Sequence, residues 1–250
     1  MHISCLSLFP EIIRAASENS IANKALEKGV LSLEYLQIRD FAINDYGKVD
    51  DALYGGGTGM LMLAEPIAQA TEEAQKLYRQ RRPKDKEQAL REKLIYLSPR
   101  GPVLNQDIAM SLAEEEHLIL LCGHYEGVDE RVLEEYNYQE ISIGDYVLSG
   151  GELAAAVLID VVMRLCPGAL PADAWQGDSH SQGFLEENQY SRPAIWRGRE
   201  VPEVLLSGHA AKIEEFRKIN ALYNTITKRP DLVPENLEED LWCKLLDSLT

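Results

Sequence analysis

Residues 117–127 read HLILLCGHYEG: a short run that is apolar apart from its first histidine, then a loop of polar and aromatic side chains held between two glycines. Continuous apolarity over so few residues marks a strand buried on both faces, and the glycines mark where it stops. Two neighbouring stretches repeat the pattern, KLIYLSPRG at 93–101 and QEISIGDYVLSGGE at 139–152. Helical periodicity fills the intervals, from Asn105 to Glu116 and from Val128 to Tyr136. Short apolar strands alternating with helices predict an α/β layer built on a mostly parallel sheet. Ligands of such sheets bind beyond the carboxyl ends of the strands, so the three loops leaving Leu97, Cys122 and Ile143 are where chemistry is expected.

On the N-terminal side, Met1 to Pro10 reads as a first strand (His2 to Phe9), with no basic region ahead of an apolar one to suggest a leader peptide. Pro10 then starts a helix predicted to run towards Lys28, with Gly29 as its cap. Val30 to Gln37 suits a second strand, Asp50 to Gly59 a glycine-rich loop, and Glu65 to Gln80 a helix. On the C-terminal side, Leu153, Val157, Leu158, Val161, Val162 and Leu165 mark one face of a helix ending near Arg164. From Gly168 to Ser181 the pattern is aperiodic, as in a linker. A polar tail follows, with helices predicted at Glu203 to Leu206, Ala210 to Thr225 and Glu238 to Leu249. The resulting organisation is a large domain at 1–168, a flexible linker at 169–181 and a small helical domain at 182–250.

The 250 residues, 45% hydrophobic and 26% charged, suffice for a core without a metal or disulfide staple. No apolar run approaches the ~20 residues of a membrane span. Cys5, Cys122, Cys166 and Cys243 are too scattered for a zinc or CxxC pattern and read as reduced thiols of a cytoplasmic protein. The net charge of −16 argues against nucleic acid as a partner. Against that stands a basic strip, Lys76, Arg79, Arg81, Arg82, Lys84, Lys86, Arg91, Lys93 and Arg100, which is either a phosphate-binding surface or a solvated helix face.

Within the loops, glycines let backbone groups approach a flat ligand closely. Ser149 and Glu152 fit a capping box for the next helix, whereas Ile143 to Leu148 offers an aromatic among aliphatics that could wall an adenine. GGGTGM at 55–60 is neither a P-loop nor a G-x-G-x-x-G fingerprint. His124 is either a base or a structural loop histidine, while Glu126 and Asp129 could serve a helix N-terminus. His180 and His209 are too far apart to suggest a metal. Asp178, in the aperiodic segment, has no evident structural task and is the better candidate for a catalytic carboxylate.

LCGHYEGVDERV at 121–132 and SIGDYVLSGGEL at 142–153 resemble the two signatures of the bacterial tRNA (guanine-N1)-methyltransferases of the SPOUT class. LSLFPE, DDALYGGGTGMLM, YLSPRG and EVPEVLLSGHAAKIEEFR are similar to the same family in the same order, so the resemblance spans nearly the whole chain. It implies a deep trefoil knot in the α/β domain, a rare exception to unknotted topology. It implies S-adenosylmethionine as methyl donor and tRNA as substrate, modified on the guanosine 3′ of the anticodon (position 37). Donor contacts would fall on Tyr96, Leu97, Ser98, Pro99, Gly123, Tyr125, Ile143, Gly144, Asp145, Tyr146, Val147, Leu148, Gly150 and Gly151. The family's linker aspartate falls on Asp178, the arginine of its long helix on Arg164, the glutamate near the transferring methyl on Glu126, and the loop beside the target base on Gly59. The resemblance also implies dependence on magnesium, with no ligand cluster visible, and a homodimer whose active sites are shared between chains. His124, Leu53 and Thr58 depart from residues frequent in that family.

Guanine N1 carries a proton and is a poor nucleophile at neutral pH. Asp178 would remove that proton as general base, and Arg164 would stabilise the negative charge that builds on O6. The rival readings are a knotted methyltransferase of another RNA and a non-catalytic RNA-binding module.

Overall fold

The computed structural model describes residues 1–18, 20–82, 89–171, 178–180 and 183–233. Its backbone falls into two compact units, Met1–Ala172 and Asp173–Thr250. The predicted helix from Glu238 to Leu249, Cys243, Lys84, Lys86 and the linker stretch 172–177 lie outside the described residues.

The first unit is organised by a five-stranded parallel sheet. Its strands are β1 (His2–Ser7), β2 (Ser32–Gln37), β5 (Glu92–Leu97), β6 (His117–Cys122) and β7 (Gln139–Ile141), in the order β2-β1-β6-β5-β7. β3 (Asp50–Ala52) and β4 (Met60–Met62) form a separate antiparallel hairpin. The helices are α1 (Pro10–Ser17), α2 (Ser20–Glu27), α3 (Ala64–Arg81), α4 (Gln106–Ala113), α5 (Glu130–Glu135) and α6 (Glu152–Leu165).

Alternate side chains of the central strands enter different cores. Ile3, Cys5, Ile95, Leu97, Leu118, Leu120 and Cys122 pack with Leu158, Ile159, Val162 and Met163 of α6. Leu6, Leu94, Tyr96, Ile119 and Leu121 pack on the other face with Ile67, Ala70 and Ala74 of α3 and Val132 and Leu133 of α5. Both faces of the sheet are therefore covered, which is why these strands read as unbroken apolar runs. The register pairs Leu97 with Cys122 and Leu97 with Ile141, so β5, β6 and β7 end side by side and release their loops at one edge of the unit.

Three local expectations differ from the structure. The helix expected from Pro10 to Lys28 is two helices, because the chain leaves helical geometry at Glu18 (φ −105°, ψ 57°) in a Ser-Glu-Asn-Ser stretch of the kind that favours caps. Gly29, at φ +68°, does close the second of them. The buried face of α6 is Ala154, Ala155, Leu158, Ile159, Val162 and Met163, whereas Leu153 and Val157 are exposed. This helix is apolar almost all round, so periodicity could not choose its inner face; the small alanines allow the closer approach. The basic strip, finally, is largely answered by carboxylates: Arg81 by Glu34 (2.7 Å), Arg82 by Glu116 (3.1 Å), Lys76 by Glu73 (2.7 Å), and Arg100 by Glu130 and Glu140 (3.1 and 3.0 Å). Among the described residues of the strip, these four are thus paired with carboxylates of this chain, mostly at exposed positions where such pairs contribute little.

The second unit contains the two-residue strands β8 (Ile195–Trp196) and β9 (Arg199–Glu200), paired antiparallel, and the helices α7 (Glu203–Leu206) and α8 (Ala210–Lys228). His209 caps α8, its ring accepting from the Lys212 N–H at 3.4 Å.

Candidate active site

The loops leaving β5, β6 and β7 enclose a cavity of about 280 Å³. Tyr96, Leu97, Ser98 and Pro99 form one side, Gly123, His124, Tyr125, Glu126 and Gly127 another. The third is the segment from Ile141 to Gly151, without Asp145, and Ala154 of α6 completes the lining. The chain leaving β7 is stitched to both other loops. Ser142 N–H donates to the Pro102 carbonyl (3.0 Å), Leu104 N–H to that of Ser142 (2.8 Å) and Gly151 N–H to that of Gly123 (3.0 Å). An isolated antiparallel bridge joins His124 and Gly150.

The glycines explain why this closure needs so little side chain. A β-carbon at Gly123 would stand 2.8 Å from the Tyr96 hydroxyl, and one at Gly151 would stand 2.7 Å from the Cys122 α-carbon. Gly144 has φ +150°, a conformation that side-chain-bearing residues rarely adopt, and a β-carbon there would meet the Tyr146 ring at 2.5 Å. Tyr125, which is not a glycine, also takes a left-handed backbone at φ 58°. Such outliers persist where the surroundings over-determine them, commonly at ligand sites.

Around the cavity lie exposed apolar surfaces: Val147 is 87% exposed and Tyr146 55%. Leu148 and Tyr125 are exposed as well. A flat purine ring matches this wall, and the glycine-flanked backbone offers hydrogen-bonding groups at its edge, so the residues fit the adenosine part of the methyl donor. Burial pushes the Tyr96 phenol above its ordinary range, keeping it a neutral hydroxyl beside Gly123.

Beneath the cavity sits a contact that sequence reading missed. Glu152 was expected to help Ser149 cap α6; instead Gly151 occupies the cap position without a side-chain bond. The Glu152 carboxylate, 2% exposed, accepts from the Ser7 hydroxyl at 2.5 Å and meets His124 Nε2 at 2.8 Å. His124 therefore serves this carboxylate rather than standing free as a base. Ser7 ends β1 and lies 145 positions from Glu152, so no spacing rule could have paired them.

The remaining candidates divide. Gly59 does not line the cavity, but its α-carbon rests on the Glu126 side chain, and Glu126 does line it. The hairpin bearing Gly59 is tied to the same loop through Glu126 N–H to the Met60 carbonyl and Met62 N–H to the Gly127 carbonyl, both 3.0 Å. Asp129 caps α5, accepting from the Arg131 N–H, as a helix-terminal carboxylate should; Glu126 does not. Arg164 lies in the last turn of α6 and is not among the lining residues. Asp178 belongs to the second unit. Its neighbour Ser179 exchanges two hydrogen bonds with Glu186 (2.8 and 3.0 Å), and Asn224 of α8 donates to the Glu186 carbonyl (2.9 Å), so the stretch beside Asp178 is held rather than loose. Among the described residues no three His, Cys, Asp or Glu side chains gather as a metal would require. Among the described residues, too, no helix is long and apolar enough to cross a membrane.

A sequence profile described as tRNA (Guanine-1)-methyltransferase TrmD matches residues 1–235. A tRNA (guanine-N(1)-)-methyltransferase of Alkaliphilus oremlandii is 47% identical over 94% of this chain and 93% of its own length. That of Dehalococcoides mccartyi is 44% identical over 100% and 97%, and that of Shouchella clausii 45% over 99% and 99%. The chain belongs to the tRNA (guanine-1)-methyltransferase family, enzymes that methylate guanine N1 in tRNA at the expense of S-adenosylmethionine.

Proposed function

We propose that this chain methylates N1 of the guanosine 3′ of the anticodon, position 37, and that the cavity at the ends of β5, β6 and β7 is its donor site. The observation that carries this reading is the convergence of three glycine-bounded loops, far apart in sequence, on one cavity flanked by exposed apolar side chains. Tyr96, Leu97, Ser98, Pro99, Gly123, Tyr125, Ile143, Gly144, Tyr146, Val147, Leu148, Gly150 and Gly151 would hold the donor, with Asp145 acting through the shape of its loop. When bound, the donor supplies a methyl group on a sulfonium.

Asp178 removes the N1 proton, turning a weak nucleophile into a competent one. Arg164 faces the charge that then develops on guanine O6. Glu126, lying between the cavity and Gly59, orders the edge where donor and base meet. The stitching of the chain after β7 between the loops after β5 and β6 supports the trefoil knot. A homodimer is supported by the exposed apolar side chains of Phe9, which precedes α1, Ile12 of α1 and Leu153 and Val157 of α6, two helices that pack together; the sharing of sites between its chains belongs to the same reading. The division into an α/β domain to 168, a linker and a tRNA-binding helical domain from 182 belongs to the same reading, as does a cytoplasmic location.

The test is incubation with methyl-labelled donor and two tRNA transcripts differing only in the nucleotide 3′ of the anticodon. Label should enter the transcript with guanosine there and not its adenosine counterpart. Asp178→Ala should keep donor binding while turnover falls by roughly 10²–10⁴. Equal labelling of both transcripts would overturn the positional assignment, and normal single-turnover methylation by the variant would remove Asp178 from the reaction.

A further inference from the structure

We propose that Glu152 is a positioning residue for the donor site, acting through His124 and Ser7 as a buried latch that sets the affinity for S-adenosylmethionine. The proposal rests on the donor-site reading above.

The latch joins three pieces of chain. Ser7 is the last residue of β1, His124 lies in the loop after β6, and Glu152 opens α6. A carboxylate only 2% exposed is costly unless its oxygens are answered. Here the Ser7 hydroxyl donates to Oε1 at 2.5 Å, and His124 Nε2 stands 2.9 Å from Oε1 and 2.8 Å from Oε2. An ionised carboxylate only accepts, so the imidazole proton at this contact sits on Nε2. Ser7 is itself held, accepting from the Phe9 N–H at 2.8 Å, and the Phe9 ring stands edge-on to the imidazole with centroids 5.0 Å apart. The position and tautomer of His124 are thus determined from beneath.

Its upper side determines the cavity. The Gly150 α-carbon lies directly against the Cε1–Nε2 edge of the ring, and a β-carbon at 150 would overlap the imidazole and the Glu152 carboxylate together. The bridge between His124 and Gly150 and the bond from Gly151 N–H to the Gly123 carbonyl fasten the same two loops. Where the imidazole sits therefore decides where the segment from Ile143 to Gly150 runs, and that segment is one wall of the cavity. Preorganising a wall raises affinity by reducing the ordering needed on binding. It does not touch the reacting atoms, so its loss falls on donor binding rather than on methyl transfer.

Glu152→Gln keeps the shape and an acceptor for Ser7 but removes the charge that holds His124; His124→Phe keeps a ring against Phe9 and Gly150 but removes the donor. Each should raise the Kd for S-adenosylmethionine, titrated calorimetrically on the full chain, by roughly ten- to a hundredfold. The kcat at saturating donor should stay within about threefold. The double variant should bind no worse than the weaker single one, since both break one latch. Ser7→Ala, which leaves the His124–Glu152 contact in place, should bind between wild type and Glu152→Gln. Unchanged donor Kd in folded single variants, with only a lower melting temperature, would make the network merely structural and overturn the proposal. So would a fall in kcat at unchanged Kd, or additive losses in the double variant. If the wild-type chain itself fails to bind S-adenosylmethionine, it is the donor-site reading that fails, and the two failures are distinguished by that first titration.

Discussion

The α-carbon of Gly59 lies over the carboxylate of Glu126: a β-carbon at position 59 would stand 2.6 Å from Oε1 and 2.7 Å from Cγ. Gly59 also has φ +110°, which no other residue adopts without strain. The glycine-rich hairpin tip and the cavity loop are thereby placed in direct contact, although 67 positions separate them in the chain.

Gly59→Ala should displace Glu126 and the hairpin tip together. The expected result is a kcat/KM for tRNA reduced by roughly 10²-fold, the scale of a misplacement of about an ångström at a reacting centre. Donor affinity should change less, because the displaced Glu126 borders the cavity but is not among the residues proposed to hold the donor. Steady-state kinetics with tRNA varied, beside a donor titration, separates the two; a variant weakened only in donor binding would contradict the assignment.

Gly144→Val should act in the opposite sense. Its φ of +150° is strained for valine, and the new β-carbon would push the Tyr146 ring off the cavity wall. Calorimetry should show no measurable binding of S-adenosylmethionine while circular dichroism shows a retained fold. Wild-type affinity would mean that the segment from Ile143 to Leu148 does not hold the donor.

Mixing two dead chains tests the shared site. Asp178→Ala and Gly144→Val should each be inactive, one lacking the base and the other the donor pocket. In a two-fold dimer with shared sites, one site of the heterodimer joins the intact pocket of the first chain to the intact Asp178 of the second. Co-expression should then recover activity, at most half of wild type per dimer. Heterodimers that form and remain inactive would place Asp178 on its own chain's pocket.

At the opposite end of the sheet, burial, with the charges of His117, Arg81 and the N-terminus, lowers the His2 pKa from 6.5 to about 4. His2 shares the Ser4 hydroxyl with His117 (3.3 and 2.9 Å), stacks on Tyr78 and lies 3.6 Å from Glu34; His117 is bonded to Glu92 at 2.7 Å. Because the folded pKa is below the unfolded one, the unfolded chain binds more protons between them. Stability is therefore fully present above about pH 6.5 and is lost as pH falls towards about 4. His2→Gln should flatten the fall in melting temperature over that window, by an amount corresponding to roughly 1–3 kcal/mol. Parallel pH profiles for variant and wild type would show that His2 stays exposed to protons when folded.

The strands β1, β5, β6 and β7 were legible in sequence because each lies in a short, largely apolar run ended by Gly, Pro or a polar turn, and β2 because Val30 to Gln37 alternates; those signals are local. The glycine loops after β5, β6 and β7 were legible for the same reason, and a parallel sheet puts the carboxyl ends of its strands at one edge. What stayed hidden depended on contacts across the chain. The inner face of α6 was undetermined because nearly every face of that helix is apolar, and only packing on the sheet selects Ala154, Ala155 and Leu158 over Leu153 and Val157. Lys76, Arg81, Arg82 and Arg100 looked like a binding strip because charge can be counted in sequence, whereas most of their carboxylate partners come from distant elements. Glu152 read as half of a capping box because position 149 supplied a serine at the right interval; the serine it uses is Ser7, brought to it by the end of β1. Local spacing governs which backbone shape a segment takes, but a buried polar atom takes whichever partner the closed fold delivers, and that choice is made only in three dimensions.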